Sequence, residues 1–344
     1  MRDRSHTRSR LPGRAGHLVR RGRAVTREIV VIGEALMDCF ARPGGSFMPV
    51  QGGSPSNLAR AAALRGGAVS YLSPLSTDRF GAGFRATLER DGVRLPMAAS
   101  RKPTSLAVVQ IVDGHAHYGF YREGVADRDW QVDAVVAWLR GRAPGILHTG
   151  SLMLIPPECD KVMALMDAAR ALGWTLSIDV NLRPRVADDG PAYLRAVRAA
   201  AARADWLKAS DDDLRELGHT EVTPARAPAL VAALRAVAEP GSLSRVALTF
   251  GADGAHLDVE GSASLQAAPR VDVIDTVGAG DTFWGNCLAD WAEEATGAPA
   301  RVATTLRQAM AAAALNCTRQ GCLPPTLQET LAFEAPAPEA EASA

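Results

Sequence analysis

Several things are missing from this chain, and each absence narrows what it can be. No apolar run approaches the ~18 residues needed to span a bilayer, so no membrane helix is expected. Five cysteines (Cys39, Cys159, Cys287, Cys317, Cys322) contain no C-x-x-C pair and are odd in number. That argues against a zinc site or disulfide framework and for a reduced, cytoplasmic chain. Net charge is also missing, because 38 basic residues balance 38 acidic ones. The balance hides an asymmetry: residues 1–27 hold nine arginines against one acid, so the remainder is acidic. An acidic body argues against a nucleic-acid partner. The arginine-rich leader lacks an apolar core and is therefore no secretory signal. It reads as a disordered extension or an over-long start, with a targeting or nucleic-acid-binding arm as the alternative. No internal repeat is visible.

What is present suits one large globular domain over residues 28–333, followed by an Ala/Pro/Glu-rich tail at 334–344 expected to be disordered. Residues 28–33 (EIVVIG) read as a buried strand, and 36–50 as a second strand with turns. Helices are expected at 57–64 and 84–90, with a strand at 69–72 between them. Residues 106–112 and 116–121 flank Asp113-Gly114, a strong hairpin signal. From residue 132 strand and helix patterns alternate. Strands are expected at 146–148, 175–179, 206–208 and 245–249, and helices near 157–172, 190–203, 211–217 and 225–237. A last strand is expected at 268–275, then Ala-rich helices at 282–294 and 299–316. This is the α/β class: a mainly parallel central sheet flanked by helices on both faces. Insertions near 38–51 and 100–123 would add a small β-sheet lid.

The chemistry concentrates in residues 275–283 (DTVGAGDTF), where three small residues separate two aspartates ahead of a helix. Unpartnered N–H groups and the dipole at a helix start favour an anion, and small residues let it approach. A carboxylate at Asp281 is out of place as a phosphate ligand. It suits a base that takes a proton from whatever attacks the phosphate, hence a kinase acting on an alcohol. Ligands of open parallel sheets sit beyond the carboxyl ends of strands. Asp179-Val180-Asn181, Ala209-Ser210-Asp211 and Thr249-Phe250-Gly251 all fall at such ends, as does the 278–281 turn.

At this point the chain resembles the ribokinase-like (PfkB) family of sugar and nucleoside kinases. Gly52-Gly53-Ser54-Pro55-Ser56-Asn57 is similar to its N-terminal Gly-Gly-x-x-x-Asn signature, and residues 275–281 to its C-terminal one. Within the family, residues 31–38 (VIGEALMD), 119–122 (GFYR), 178–184 (IDVNLRP) and 208–214 (KASDDDL) look like bacterial fructokinases. The resemblance implies a ribokinase-like fold with ATP and Mg²⁺ as cofactors and a small-molecule sugar as acceptor. It implies that Asp38 and Asn57 bind sugar hydroxyls, Gly53 allows close backbone approach, and Phe120 and Arg122 face the sugar from the lid. Asp281 would be the base, with Gly278, Ala279 and Gly280 the anion hole. Ser210, Thr249, Gly251 and Gly254, with Gly278, Gly280 and Asn316, would line the ATP site. Asp275, Val277, Asn316 and Gly321 fall where relatives bind a monovalent cation, K⁺ being the candidate.

Bland readings stand beside these. Asp213 replaces a glutamate that relatives use near Mg²⁺ and could hold a magnesium-bound water. Ser210 as a helix N-cap with acids in the first turn explains the same residues. Asp179 is a substrate ligand or a strand-end turn former, and Arg183 a substrate contact or an exposed loop arginine. His115 and His117 share a strand face but have no third ligand nearby, so they read as solvated hairpin residues. Ser76 and Asn286 depart from the family pattern without removing a catalytic group. The first expectation is fructose converted to fructose 6-phosphate. 2-Keto-3-deoxygluconate, whose carboxylate Arg122 or Arg183 could pair, ribose and nucleosides are the alternatives. A non-catalytic binding regulator is the rival of another class, and Asp281 argues against it. An exposed lid sheet could pair two copies as a homodimer.

Overall fold

The computed structural model describes residues 26–112, 115–293 and 299–333. The N-terminal part comprises β1 (Ile29–Val31), β2 (Leu36–Ala41), β3 (Phe47–Gly52), α1 (Ser54–Leu64), β4 (Val69–Tyr71) and α2 (Arg79–Arg90). β5 (Ser105–Val112), β6 (His115–Tyr121) and α3 (Val132–Arg140) follow. Then come β7 (Ile146–Gly150), α4 (Glu158–Ala171), β8 (Thr175–Asp179), α5 (Gly190–Arg203), β9 (Trp206–Ser210), α6 (Asp211–Glu216) and α7 (Ala227–Val237). The chain finishes with β10 (Arg245–Thr249), β11 (Ala255–Val259), β12 (Ser262–Gln266), α8 (Ala279–Glu293), α9 (Pro299–Cys317) and α10 (Leu327–Ala332).

Eight strands form one sheet in the order β12-β11-β10-β9-β8-β7-β1-β4, in which only β11 runs against the rest. Side chains alternate across a strand. In β1 this sends Ile29 and Val31 into the core under α1, α8 and α9, and Val30 into the core under α3, α4, α5 and α7. A short run buried on both sides must be apolar throughout, as the IVV of β1 is. β3, β2, β5 and β6 make a separate four-stranded sheet, with β2 and β5 parallel. It covers Leu36, Ala107 and Leu152, against which Phe120 packs.

Three helices begin earlier than their Ala/Leu content indicates. α1 starts at Ser54, with Pro55 pre-setting the first turn. α2 starts at Arg79, capped by Asp78, whose side chain accepts from the Gly81 N–H. α8 starts at Ala279, so Asp281 lies inside its first turn. The strand expected at 268–275 is absent: residues 267–275 are a loop, and the sheet ends in the β11–β12 hairpin. Pro269 lacks a ladder donor, and Val273 and Ile274 are exposed rather than packed. The 1–25 leader, the Asp113-Gly114 turn, the side chains of His115 and His117, and the 334–344 tail lie outside the described residues. Among the described residues no helix is long and apolar enough to cross a membrane. All five cysteines are free, and no cluster of metal-ligating side chains occurs among the described residues.

Candidate active site

The starts of α1 and α8 meet beyond the carboxyl ends of the central strands. Gly53 enters α1 at φ +99°, and a Cβ there would stand 2.5 Å from the Glu34 carbonyl oxygen, so only glycine lets these segments touch. The first turn of α1 then reaches α8. Ser54 Oγ donates to Asp281 Oδ1 at 2.6 Å and Asn57 Nδ2 donates to Oδ2 at 3.0 Å. Asp281 is thus fixed by two residues, of which Ser54 escaped the sequence reading. Gly278, at φ +75°, turns the chain into α8 with a missing Cβ that would strike Cys322 Sγ at 2.2 Å. The backbone N–H groups of Gly278, Gly280 and Asp281 have no acceptor among the described residues. Ala279 N–H, by contrast, donates to the Thr276 carbonyl. A cradle of free donors therefore opens beside a held carboxylate.

Two cavities meet at this cradle. The first, of about 550 Å³, lies under the lid and is lined by Asp38, Gly53, Asn57, Phe120, Arg183 and Asp281, with Gly278 at its inner end. Burial pushes the Asp38 carboxyl up to about 6 against the opposing pull of Arg183. Burial likewise pushes Glu34, which also lines this cavity, up to about 7, and Arg122 opposes the shift. The second cavity, of about 750 Å³, is lined by Ser210, Thr249, Gly251 and Gly254 at the ends of β9 and β10, and by Ala279. Its other wall is apolar, built from Ala268, Val271, Phe283 and Met310. Asn181, Lys208, Thr276 and Gly280 line both cavities, so the two join at the start of α8.

Four expected residues lie elsewhere. Arg122 lines neither cavity. It sits one residue beyond β6 at the base of the lid, 3.4 Å from both Asp127 Oδ2 and the Leu152 carbonyl oxygen. Asp179 is buried and lines neither cavity, and both its oxygens accept from Lys208 Nζ at 2.9 Å. Asn316 is fully buried, donating to the Val277 carbonyl at 2.8 Å and accepting from Leu323 N–H at 2.9 Å. Asp213 closes a capping box with Ser210 and accepts from Leu182 N–H at 2.7 Å. The acidic residue of this turn that lines the second cavity is Asp211, whose Oδ2 pairs with Arg215 at 2.8 Å. Lys208 and Asp211 carried no role in the sequence reading; their strand-end position was the signal that could have found them.

The loop of the expected monovalent-cation site is closed on itself. Asp275 accepts from Val277 N–H at 3.0 Å and Gly321 N–H at 2.9 Å, which brings the four expected residues together. The Val277 carbonyl already accepts from Asn316 but keeps a second lone pair, so oxygen donors for a hard cation are at hand.

The model of the pfkB family of carbohydrate kinases matches residues 26–329. A fructokinase of Rhizobium leguminosarum bv. trifolii is 31% identical over 266 residues, 76% of this chain and 78% of that protein. A fructokinase of Vibrio alginolyticus is 28% identical, spanning 89% of this chain and 98% of its own. Among solved structures, the ATP-bound fructokinase of Xylella fastidiosa superposes with a TM-score of 0.76 at 28% identity, covering 89% of this chain and 98% of that one. The Vibrio cholerae O395 fructokinase, solved with fructose, ADP and calcium, gives 0.76 at 24% identity over 90% of this chain and 99% of that one, a likeness of fold. Motifs, architecture and the family match agree: the chain belongs to the pfkB family of carbohydrate kinases, phosphotransferases that act on an alcohol group.

Proposed function

We propose that this kinase transfers the terminal phosphoryl group of ATP to a primary hydroxyl of fructose, giving fructose 6-phosphate. The observation that carries the reading is Asp281, held by Ser54 and Asn57 where a lidded polar cavity meets a second cavity beside free backbone N–H groups. A sugar hydroxyl is a poor nucleophile, and Asp281 takes its proton as it attacks. The N–H groups of Gly278, Gly280 and Asp281 stabilise charge on the transferring group. Asp38, Asn57 and the Gly53 backbone bind the sugar, with Phe120 as a wall and Arg183 at the rim. The nucleotide takes the second cavity, with its base against the apolar wall and its phosphates towards Ser210, Thr249 and Gly251.

Mg²⁺ would arrive with the nucleotide. Phosphate oxygens and waters supply most of its ligands, and Asp211 and Asp213 supply the acidic environment such an ion favours. When bound it neutralises phosphate charge. K⁺ would take carbonyl oxygens of the 275–277 loop and the Gly321 segment. The lid excludes water, which competes with the sugar for phosphate. Five free cysteines suit a cytoplasmic location, and the exposed Phe47 and Tyr121 on the lid suit pairing with a second copy.

The test is ATP consumption with fructose, 2-keto-3-deoxygluconate, ribose and adenosine, with and without K⁺. Fructose should give the highest kcat/KM; preference for the keto acid would move Arg183 from rim to carboxylate partner. Activity on none would sink the kinase assignment in favour of a binding protein. Asp281→Asn should lower kcat by roughly 10²–10⁴ with fructose binding retained. Unchanged turnover would remove Asp281 as the base.

A further inference from the structure

One buried cation stands at the junction of the two cavities, outside both the base and the cradle. Lys208 lies on β9, 4% exposed, and its Nζ donates to both oxygens of Asp179 at 2.9 Å. Two of its three N–H donors are spent there, and the third has no acceptor among the described residues. A Cβ on Gly280 would come within 3.2 Å of Nζ, so the ammonium rests against the bare backbone of the phosphate cradle. Lys208 lines both cavities.

The charges around it matter as much as the position. Asp179, Asp213 and Asp281 all act on Lys208 and keep its ammonium charged despite full burial. Three carboxylates around one ammonium leave an excess of negative charge where a polyphosphate must come. A compact point charge with one free donor at that spot offsets the repulsion and gives the phosphoryl oxygens a partner. Asp179, 1% exposed and carrying no cavity surface, fixes where the ammonium points.

We propose that Lys208 is a catalytic residue whose ammonium contacts the phosphoryl group in transit, and that Asp179 is its positioning residue rather than a sugar ligand. The inference rests on reading the two cavities as sugar and nucleotide sites. In the step, the sugar oxygen bonds to phosphorus while its proton passes to Asp281. The bond from phosphorus to the bridging oxygen breaks, and ADP leaves with that electron pair. Lys208 keeps its three protons throughout.

The experiment compares Lys208→Met, Lys208→Arg, Asp179→Asn and the double variant Asp179→Leu/Lys208→Met. The double change removes a buried ion pair as a whole, which proteins tolerate better than loss of one partner. It therefore supplies a folded protein if Lys208→Met unfolds. Lys208→Met or the double variant should lower kcat by roughly 10²–10³ with the Kd for fructose, measured by calorimetry, within about threefold of wild type. Lys208→Arg should recover part of the loss. Asp179→Asn should lower kcat by about tenfold at unchanged KM for fructose, a split that a purely structural pair would not produce. A folded variant without the lysine that turns over within about threefold of wild type overturns the inference. A binding arm separates this from failure of the sugar assignment. Wild type should bind a non-hydrolysable ATP analogue more tightly than ADP, and the lysine-free variants should lose that preference by about tenfold or more. If no sugar is phosphorylated yet the preference disappears with Lys208, the sugar reading fails and the lysine's role stands. An unchanged preference overturns that role.

Discussion

Glu34 sits where the chain leaves β1 for the lid, 1% exposed, with Oε2 unpartnered. Folding raises its pKa from 4.5 to about 7, chiefly by desolvation. The folded protein therefore holds a proton that the unfolded chain releases above about pH 4.5. The contribution is fully present below the unfolded value and is lost as pH rises through about 7, by up to ~1.4 kcal/mol per pH unit. Glu34→Gln removes this dependence. The variant's Tm relative to wild type should climb between pH 5 and 7 and stay level above that, in thermal melts across the range. Asp38, shifted in the same direction, is common to both proteins and cancels in the difference. A difference that stays flat with pH would show that Glu34 is ionised in the fold throughout. Gly278 makes the second case at this scale. Ala at φ +75° with its Cβ against Cys322 must displace the turn that presents the free N–H groups. Gly278→Ala should lower kcat by ~10²-fold, the effect of misplacing a reactive group by about an ångström.

Elements differ in how openly the sequence declared them. β8 (TLSID) alternates apolar and polar residues and β10 (RVALT) has an apolar centre, and their five-residue spans were legible because strand patterning is local. The Asp113-Gly114 signal likewise located both strands of the lid hairpin. Helix starts were less legible because they depend on caps. Asp78 before α2 and Pro55 within α1 set the starts ahead of the stretches at 84–90 and 57–64 that read as helical. The β11–β12 hairpin went unseen since its turn, Glu260-Gly261, is not one of the usual pairs, and both residues take positive φ. The site followed the same rule. Gly53 and the 278–281 turn were legible as motifs, whereas Ser54 reaches Asp281 across 227 residues of sequence and Lys208 reaches Asp179 across 29. Such pairs exist only once α1 lies beside α8 and β9 beside β8. The position of Arg122 was likewise not legible: one residue beyond β6, it lies 3.4 Å from both Asp127 and the Leu152 carbonyl and lines neither cavity. The α1–α8 bridge yields a prediction of its own. Ser54→Ala removes one of two side-chain donors to Asp281, so kcat should fall by about tenfold, well short of the Asp281→Asn loss. Steady-state kinetics on both variants gives the comparison, and equal losses would mean that Ser54 contacts substrate itself.

At the scale of the whole molecule, two apolar cores on opposite faces of one sheet hold the strand ends that carry the site. The folded unit is anchored at its front by Arg27. Its N–H donates to the Ala292 carbonyl at 2.9 Å and its guanidinium to the Gly145 carbonyl at 2.8 Å, and it also lies over the Trp206 ring. The family match begins at residue 26, and the proposed site residues run from Asp38 to Gly321. The eight arginines ahead of Arg27 precede the family match and every proposed site residue in the sequence. A chain lacking residues 1–24 should keep its kcat/KM within about twofold and its Tm within about 2 °C of the full chain, a change of at most ~1 kcal/mol. Removing Arg27 as well should lower Tm by several degrees, since three hydrogen bonds (to the Ala292 and Gly145 carbonyls and Thr175 Oγ1), worth ~1 kcal/mol each, are lost at ~2–4 °C per kcal/mol. Activity below the melting range should survive that second cut, because Arg27 lies at the opposite end of the strands from Asp281 and Lys208. An inactive but folded protein after the first cut would instead tie the basic leader to turnover.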